Sequence, residues 1–477
     1  MKYKRFIALA LAILLMSTAL AGCAQNVGDI SEAPPSVEAS SEPEPVDDPE
    51  PIPEPAEEFT PAPDRPAAAP FQSDIVTRYP VEAAALLKPE YGEEDPAAQT
   101  VASGANRFAL RLSSELVPKD PGKNFVCSPY SVWLPLAALL NATDEAHREA
   151  LLAALGAEGV TEADVNRAAS RMLYDLTKER QREYGQHDPL HIANAVFVDK
   201  NVTLNREFAQ SFLDYFRGQA LNVDFSSDEA VKEVNRWAGE NTEGLITDII
   251  QEFPPGTVTA IANAIYFSDR WDWEFDPEQT AEGVFHAPGG DTAAMFMLRE
   301  GDGLFYYEDD RIQAIALPFK SVGDMYILLP GDGDASGLLA SLDETYFQTI
   351  QKVGDQRTGK LLLPRFKIAS DIIPLGDTLS SLGVPLFDAN VSPLTGLLEG
   401  DAPVWLSSAV QKAVIEVDEK GTTAAAVTVM MATGGGPVPT EPFEMVCDKP
   451  FVFLLCDRTY DGGSQILFTG VVNRPEQ

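Results

Sequence analysis

The chain has 477 residues, of which 45% are hydrophobic, so it is long enough to bury a sizeable core in one large domain or two ordinary ones. Its formal net charge of −38 argues against nucleic acid or an anionic lipid surface as a partner, because both would repel it. The same charge predicts a self-repelling surface and therefore a monomer.

Residues 1–22 are predicted to be a signal peptide. Three basic residues precede the apolar run 6–16, and small residues then lead to Cys23. The four residues that end at Cys23 resemble the lipobox of bacterial lipoproteins, in which cleavage leaves the cysteine as a lipid-bearing N-terminus. The resemblance implies an extracellular lipoprotein of a bacterium, held at the membrane only by acyl chains. An ordinary signal peptide with an incidental cysteine is the alternative.

Residues 23–70 form a predicted disordered stalk behind the lipidated cysteine. Between residues 24 and 70 there are 12 acidic residues and one basic residue, Arg65, among many prolines. Such a segment cannot bury enough apolar surface to offset its ordering entropy, and it is extended and semi-rigid. Residues 71–100 are transitional, with a possible short helix at 81–87, and residues 101–477 are predicted to form the folded domain.

Helices come first in the domain and strands cluster later. Apolar periodicity predicts helices at 105–117, 131–140 and 145–155. Eight later apolar or alternating runs are predicted strands: 191–198, 259–267, 314–317, 325–329, 360–368, 413–417, 451–455 and 466–472. The two kinds of element do not alternate, so we expect an α+β fold with mostly antiparallel sheets.

The three cysteines after Cys23 are predicted to be buried thiols. Cys127, Cys447 and Cys456 are an odd number, and each has apolar neighbours. A bridge between Cys447 and Cys456 is the alternative. The histidines have no metal-binding spacing, so we expect no metal and no cofactor.

No sequence motif of an enzyme is present. The chain lacks a GxSxG elbow, an HExxH helix, a P-loop and a dinucleotide fingerprint. Ser464 is the nearest candidate for an exposed nucleophile, but its position between two predicted strands favours an ordinary turn. A hydrolase with a dispersed active site remains an alternative.

Residues 421–433 break the pattern of the chain. The run has no charge, proline or aromatic residue, although 23% of the chain is charged. Composition alone favours a buried helix and an extended strand equally. In an extended conformation one face would carry only small or flexible side chains: Thr422, Ala424, Ala426, Thr428, Met430 and Ala432.

Five blocks in this chain resemble the serpin family, in the family's order and over about residues 106–475. The first covers residues 124–131, the second 263–271 and the third 363–367. The fourth is the hinge signature, and the fifth comprises the C-terminal strands at 448–453 and 468–475. The hinge residues are Glu419, Gly421, Thr422, Thr423, Ala424, Ala425, Ala426, Val427 and Thr428.

This resemblance implies a serpin fold, with about nine helices around three mostly antiparallel sheets and an exposed reactive-centre loop. It also implies a protease inhibitor rather than an enzyme. A target protease would cleave the loop and be trapped as an acyl-enzyme while the hinge inserts as a new strand. Family spacing from Glu419 assigns the reactive bond to Gly435 and Gly436, with Thr433 and Gly434 as neighbours within error.

The resemblance also implies residues that control opening of the sheet. Ser128, Ser131 and Asn263 match the family's buried cluster beneath the opening point, and Trp271 matches the position where the hinge enters. Gln411 stands where a histidine is often found in the family. Because glutamine does not titrate, we expect opening to lack a histidine-dependent pH response.

Small residues around the reactive bond favour elastase-like or subtilisin-like proteases as partners, with cysteine proteases as a further possibility. The hinge contains no charged or bulky obstacle after Gly421, which favours an active inhibitor. The alternatives are a non-inhibitory binding protein with the serpin fold and a purely structural surface protein on a stalk.

Overall fold

The computed structural model describes residues 87, 95–120, 122–177, 190–320, 323–353, 355–400, 403–422, 441–458 and 464–475. All of them belong to one compact unit, Pro66–Gln477. The predicted signal peptide, the stalk and most of the possible helix at 81–87 lie outside the described residues. No helix in the described part is long and apolar enough to cross a bilayer.

Nine α-helices are present in the described residues. They are α1 Pro96–Leu116, α2 Pro129–Leu139, α3 Glu145–Ala154, α4 Glu162–Thr177, α5 Arg206–Phe216, α6 Glu229–Asn241, α7 Ala335–Ser341, α8 Glu344–Val353 and α9 Gly376–Ser381.

Sixteen strands are present in the same residues. They are β1 Phe125–Cys127, β2 Leu190–Asp199, β3 Gly218–Val223, β4 Thr259–Phe267, β5 Ala281–Ala287, β6 Gly290–Glu308, β7 Ile312–Pro318, β8 Asp324–Pro330, β9 Asp355–Pro364, β10 Phe366–Ala369, β11 Ile373–Pro374, β12 Val410–Gln411, β13 Val414–Val417, β14 Phe443–Val446, β15 Phe451–Arg458 and β16 Ser464–Val472.

The strands pair in a mostly antiparallel manner. The largest sheet has the order β1-β16-β15-β8-β7-β6-β9-β14, with β5 also paired to β6. A second sheet has the order β3-β2-β4, and β10-β13 and β11-β12 form two-stranded ribbons. Only β2–β3 and β9–β14 are parallel among the described pairs. The expected α+β class with mostly antiparallel sheets is confirmed.

Helix α1 begins earlier than the apolar periodicity predicted. The Asp95 carboxylate caps the helix by accepting a hydrogen bond from the backbone N–H of Ala98 at 3.1 Å, and Pro96 occupies the first turn. The same carboxylate accepts hydrogen bonds from Arg167 and Arg171 of α4. These contacts fix the start of α1 at Pro96, nine residues before the predicted start.

The predicted strand 360–368 is in fact two strands. Strand β9 ends at Pro364 and β10 starts at Phe366, and Arg365 between them donates its backbone N–H to the carbonyl of Met295 on β6. Strand β6 itself, with 19 residues, was not predicted, because glycines and charged residues interrupt its apolar pattern.

Helix α2 lies at the centre of the main core and is buried on almost every side, as predicted. Trp133 is fully buried there and donates its indole N–H to the carbonyl of Leu155 at 3.2 Å. Behind Leu155 the chain turns at Gly156, whose backbone contacts Gly104 of α1. A Cβ at Gly104 would lie 2.2 Å from the carbonyl oxygen of Gly156, so α1 approaches this turn closely only because both residues are glycine.

We predict that Gly104→Ala destabilises the protein, although the same change in an uncrowded helix would be stabilising. The added methyl group should cost about 1–3 kcal/mol because the backbone of Gly156 cannot move aside easily. Circular dichroism during guanidinium unfolding measures the effect. Gly376→Ala in α9 is the matched control, since its Cβ would meet only Phe387 at an ordinary 3.7 Å. Equal behaviour of the two variants would contradict the packing argument.

Candidate functional site

The candidate site is a gap beside strand β4. One edge of β4 pairs with β2 along the whole strand, and its other edge has no strand partner in the described part of the chain. Likewise, β13 pairs only with β10 there. Between β4 and residues 406–412 lies a cavity of about 140 Å³, bordered by α2 on one side and by α6 with the loop after it on the other. Backbone donors and acceptors therefore face a space that a further strand could occupy.

The two strands that border this gap run in the same direction. The residues that follow β4 contact the residues that follow β13. The backbone N–H of Thr422 donates to the carbonyl of Asp269 at 2.8 Å, and the backbone N–H of Trp271 donates to the carbonyl of Lys420 at 2.9 Å. The opposite ends of the two segments border the same cavity. A strand entering from the hinge end would therefore run antiparallel to both neighbours.

The chain reverses its direction at Asp418. Its carboxylate accepts the backbone N–H groups of Lys420 at 2.8 Å and Gly421 at 3.2 Å, which forms a tight turn. Gly421 has a φ of +141° and makes an antiparallel bridge with Arg270. A Cβ at Gly421 would lie 2.2 Å from the carbonyl oxygen of Asp269, so only glycine fits.

Thr422 is already buried beside the end of β4, with 2% of its surface exposed. Its hydroxyl accepts the backbone N–H of Asp269 at 3.0 Å, and its carbonyl accepts the hydroxyl of Ser268 at 3.1 Å. The last described residue of the hinge thus lies at the mouth of the gap. A charged side chain here would have to be buried without a partner.

Trp271 packs beneath the turn. Its indole N–H donates to the carbonyl of Asp418 at 2.9 Å, and its ring stacks on Phe319 with centroids 4.4 Å apart. Only 1% of the residue is exposed. The contact lies at the end of β4 where the hinge begins, which is the location that the resemblance implied for this tryptophan.

Glu419 links the hinge to two other segments. Its carboxylate accepts hydrogen bonds from Arg365 Nε at 2.8 Å and from the Thr280 hydroxyl at 2.5 Å. Burial alone would raise the pKa of Glu419, but the hydrogen bonds from Arg365 and Thr280 outweigh it, and the net pKa lies below the ordinary value. The carboxylate is therefore charged at neutral pH, although the residue is only 5% exposed.

A hydrogen-bonded cluster lies on the α2 side of the gap. Gln411 donates from Nε2 to the carbonyl of Ser128 and to the hydroxyl of Ser131, both at 2.7 Å, and its Oε1 accepts the N–H of Ser128 at 3.1 Å. The hydroxyl of Ser131 in turn donates to the carbonyl of Ser128. Two of the three residues expected in the buried cluster, Ser128 and Ser131, are brought together here by Gln411.

Asn263 lies apart from that cluster, although it borders the same cavity. Its Nδ2 donates to Asn194 on β2 at 2.8 Å, whereas its Oδ1 is buried without a hydrogen-bond partner in the described part of the structure. The hydroxyl of Thr259 on the same strand is also buried and unpaired there. Such groups carry a free-energy cost that a new neighbour in the gap could relieve.

A sequence model of one family, described as serpin (serine protease inhibitor), matches residues 103–475. The chain belongs to the serpin family. It is 31% identical over 379 residues to antichymotrypsin-2 of Bombyx mori, an alignment that covers 77% of this chain and 96% of that protein.

Solved structures with the same fold include Serpin48 of the insect Tenebrio molitor. It is 26% identical and has a TM-score of 0.68, with 81% of this chain and all of that chain covered. Human thyroxine-binding globulin in complex with thyroxine also has a TM-score of 0.68, with 80% of this chain and all of that chain covered. At 22% identity, this second likeness shows the fold alone.

Several site residues of this serpin lie outside the described residues. These are the remaining hinge positions Thr423 to Thr428, the reactive-bond residues Thr433, Gly434, Gly435 and Gly436, and the predicted lipidation site Cys23. The three cysteines of the folded domain are described, and all are buried free thiols, as predicted.

Sequence reasoning missed the partners of the hinge. The family block at 363–367 contains Arg365 without indicating a role for it, and no pattern in the sequence points to Thr280 or Asp269. A cation directly after Pro364, between the apolar residues 361–363 and Phe366, was the available signal for Arg365. Its partner Glu419 is 54 residues away, a separation that no local pattern reveals.

We predict that Glu419→Gln loosens the hinge at neutral pH but not under strongly acidic conditions. Because the pKa of Glu419 is lowered in the folded protein, its stabilisation is complete above the unfolded value and is lost as pH falls through the folded value. Loss of the charged hydrogen bonds should lower the free energy of opening the hinge by about 1–2 kcal/mol.

Hydrogen exchange of the Thr422 amide, measured between about pH 3 and pH 7, tests this prediction. The control is Glu416→Gln, which removes only an exposed pair with Lys367 and should change little. A difference between Glu419→Gln and the wild type that stays constant down to pH 3 would contradict the assignment.

Proposed function

We propose that this serpin is a single-use inhibitor of serine proteases. The observation that carries the proposal is the hinge turn at Asp418–Gly421, which directs Thr422 toward a gap between two codirectional strands. Among the described residues, the edges of these strands that face the gap have no strand partner. The family is described as serine protease inhibitors, which supports the same reading.

In the proposed mechanism, the serine of a target protease attacks the carbonyl carbon of Gly435. The bond to the nitrogen of Gly436 breaks, the leaving amine takes a proton, and the carbonyl stays bound to the serine as an ester. The freed hinge then inserts between β4 and β13 before water can reach the ester. The protease is carried along the sheet and remains attached.

Strand formation supplies the driving force for this step. Residues 421–433 amount to about 13 residues, which span on the order of 43 Å as an extended strand. Each inserted residue can pair backbone groups of both neighbouring strands, which are otherwise left with one free edge. The small inward face that begins with Thr422 enters without burying a charge.

The residues around the proposed reactive bond favour proteases with shallow specificity pockets. Thr433, Gly434, Gly435 and Gly436 present no long or charged side chain. We therefore propose elastase-like or subtilisin-like enzymes as targets, with papain-like cysteine proteases as a further class. A trypsin-like enzyme selects Arg or Lys and should therefore not cleave this bond.

Incubation of the full chain with elastase-, subtilisin-, trypsin- and papain-type enzymes, followed by denaturing gels, tests the proposal. We expect a covalent complex with a serine protease that survives SDS, and mass spectrometry of the released peptide should place the new N-terminus at about Gly436. If every enzyme of the panel cleaves the loop and none forms a covalent complex, the proposed inhibitory function is wrong. That result would favour a binding protein with the serpin fold.

We predict that Thr422→Arg converts the inhibitor into a substrate. The guanidinium would have to be buried at the mouth of the gap, so insertion should become slower than hydrolysis of the ester. The fraction of protease trapped per cleaved molecule should fall at least tenfold. Thr423→Arg is the matched control, because neighbouring residues of an extended strand face opposite sides. The Thr423→Arg variant should still trap most of the protease. An equal loss of trapping in both variants would contradict the assignment of Thr422 to the inward face of the inserted strand.

We also propose that Cys23 carries the lipid that anchors the domain through the stalk. The sequence at Leu20–Cys23 supports this, and one acyl group alone would bind only weakly, whereas several give stable anchoring. In a lipoprotein-making bacterium, Cys23→Ser should abolish labelling by radioactive palmitate and move the protein from the membrane fraction to the soluble fraction. Unchanged labelling would contradict the assignment, and Cys127→Ser serves as the control because that thiol is buried.

A further inference from the structure

A second concave surface lies away from the gap. It is a groove with about 400 Å³ of open space along strands β6, β7 and β8, bordered by α8 at one side and by Asp272 and Trp273 at one end. Tyr326 of β8 contacts Phe347 of α8, so the groove is on the face of the sheet that carries this helix. Its size suits a small organic molecule.

The groove combines aromatic rings with negative charge. Its aromatic residues are Trp273, Phe305, Tyr307 and Tyr326, and its charged residues are Asp272 and Asp324. The described residues that line it include no lysine, arginine or histidine. Aromatic faces and carboxylates both attract cations, so the two features select the same kind of ligand.

Trp273 is held in place at the end of the groove. The guanidinium of Arg299 lies 4.9 Å from the centre of its indole ring, and Arg299 also donates to the Trp273 carbonyl at 2.8 Å. Arg299 borders a smaller neighbouring cavity but not the groove. Trp273 is 40% exposed, which places it among the few large hydrophobic residues of the described chain that face solvent.

The polar groups on the two sides of the groove differ in their partners. The backbone of Asp272 is fixed by a 2.8 Å hydrogen bond from its N–H to the carbonyl of Pro318, and the charge of its carboxylate interacts with the guanidinium of Arg299. The Nε2 group of Gln351 on α8 is buried and unpaired within the described part of the protein. A ligand could thus gain a charged contact at one side and an acceptor contact at the other.

We propose that this groove binds a small organic cation: an ammonium or guanidinium group on an aromatic or aliphatic body. The cationic group would lie near Asp272 with the body against Trp273 and the neighbouring rings. The reasons are the concave shape, the exposed Trp273 and the two carboxylates among the lining residues. The ligand would share Trp273 and Asp272 with Arg299, which lies beside the groove. The proposal concerns binding alone and does not depend on protease inhibition.

Titration of the full chain with 2-phenylethylammonium, followed by saturation-transfer NMR and calorimetry, tests the site. A ligand of about nine non-hydrogen atoms should bind with a Kd on the order of 1 mM. The neutral analogue 2-phenylethanol should bind about three- to tenfold more weakly, and the anion 3-phenylpropanoate should not bind. Equal affinity for the three probes, or no binding of the cation up to about 10 mM, would overturn the proposal.

Variants locate the binding. Trp273→Ala and Asp272→Asn should each weaken binding of the cation by about three- to fivefold, and the effect of Asp272→Asn should shrink in high salt. The matched control is Asp310→Asn, an exposed aspartate outside the groove, which should leave the affinity unchanged. If all three variants bind as tightly as the wild type, the cation binds elsewhere and the assignment is wrong.

Discussion

The structure depends on one constraint: in the described part of the chain, two parallel strand edges have no strand partner on either side of the same gap. An edge of β4 and the chain through β12 and β13 face this gap, and α2 lies beneath it. Unpaired backbone groups are costly when water is excluded, so the fold retains free energy that an added strand could release. The hinge is the segment that the chain itself can supply.

A small number of hydrogen bonds keeps this arrangement in place. At the hinge end, Thr422 forms hydrogen bonds with Asp269 and Glu419 with Arg365. Near the start of α2, Gln411 forms hydrogen bonds with Ser128 and Ser131. Each bond contributes about 1 kcal/mol net, whereas insertion of about 13 residues forms many more. In the proposed mechanism, these restraints would therefore delay insertion without preventing it once the loop is cut.

Sequence reasoning succeeded where the information is local. The buried helix α2 follows from an apolar run after Pro129. It failed where the structure depends on distant partners. Strand β6 is stabilised by β5, β7 and β9 despite its glycines, and Arg365 has meaning only beside Glu419. The direction of the hinge likewise depends on Asp269, which is 153 residues from Thr422.

The chemistry of the restraints also determines how opening responds to pH. Gln411 uses its two donors and one acceptor without carrying a charge, so the cluster on α2 keeps its hydrogen bonds from acid to alkaline conditions. Glu419 is different, because its pKa is lowered and its carboxylate is charged at neutral pH. The hydrogen bond from Arg365 to Glu419 is therefore strong at neutral pH and weakens only when the carboxylate is protonated. A serpin with this pair of restraints loses the hydrogen bond between Arg365 and Glu419 in acid, while the hydrogen bonds of Gln411 stay unchanged. Acid should then promote entry of the hinge but leave the barrier deeper in the sheet as it is at neutral pH.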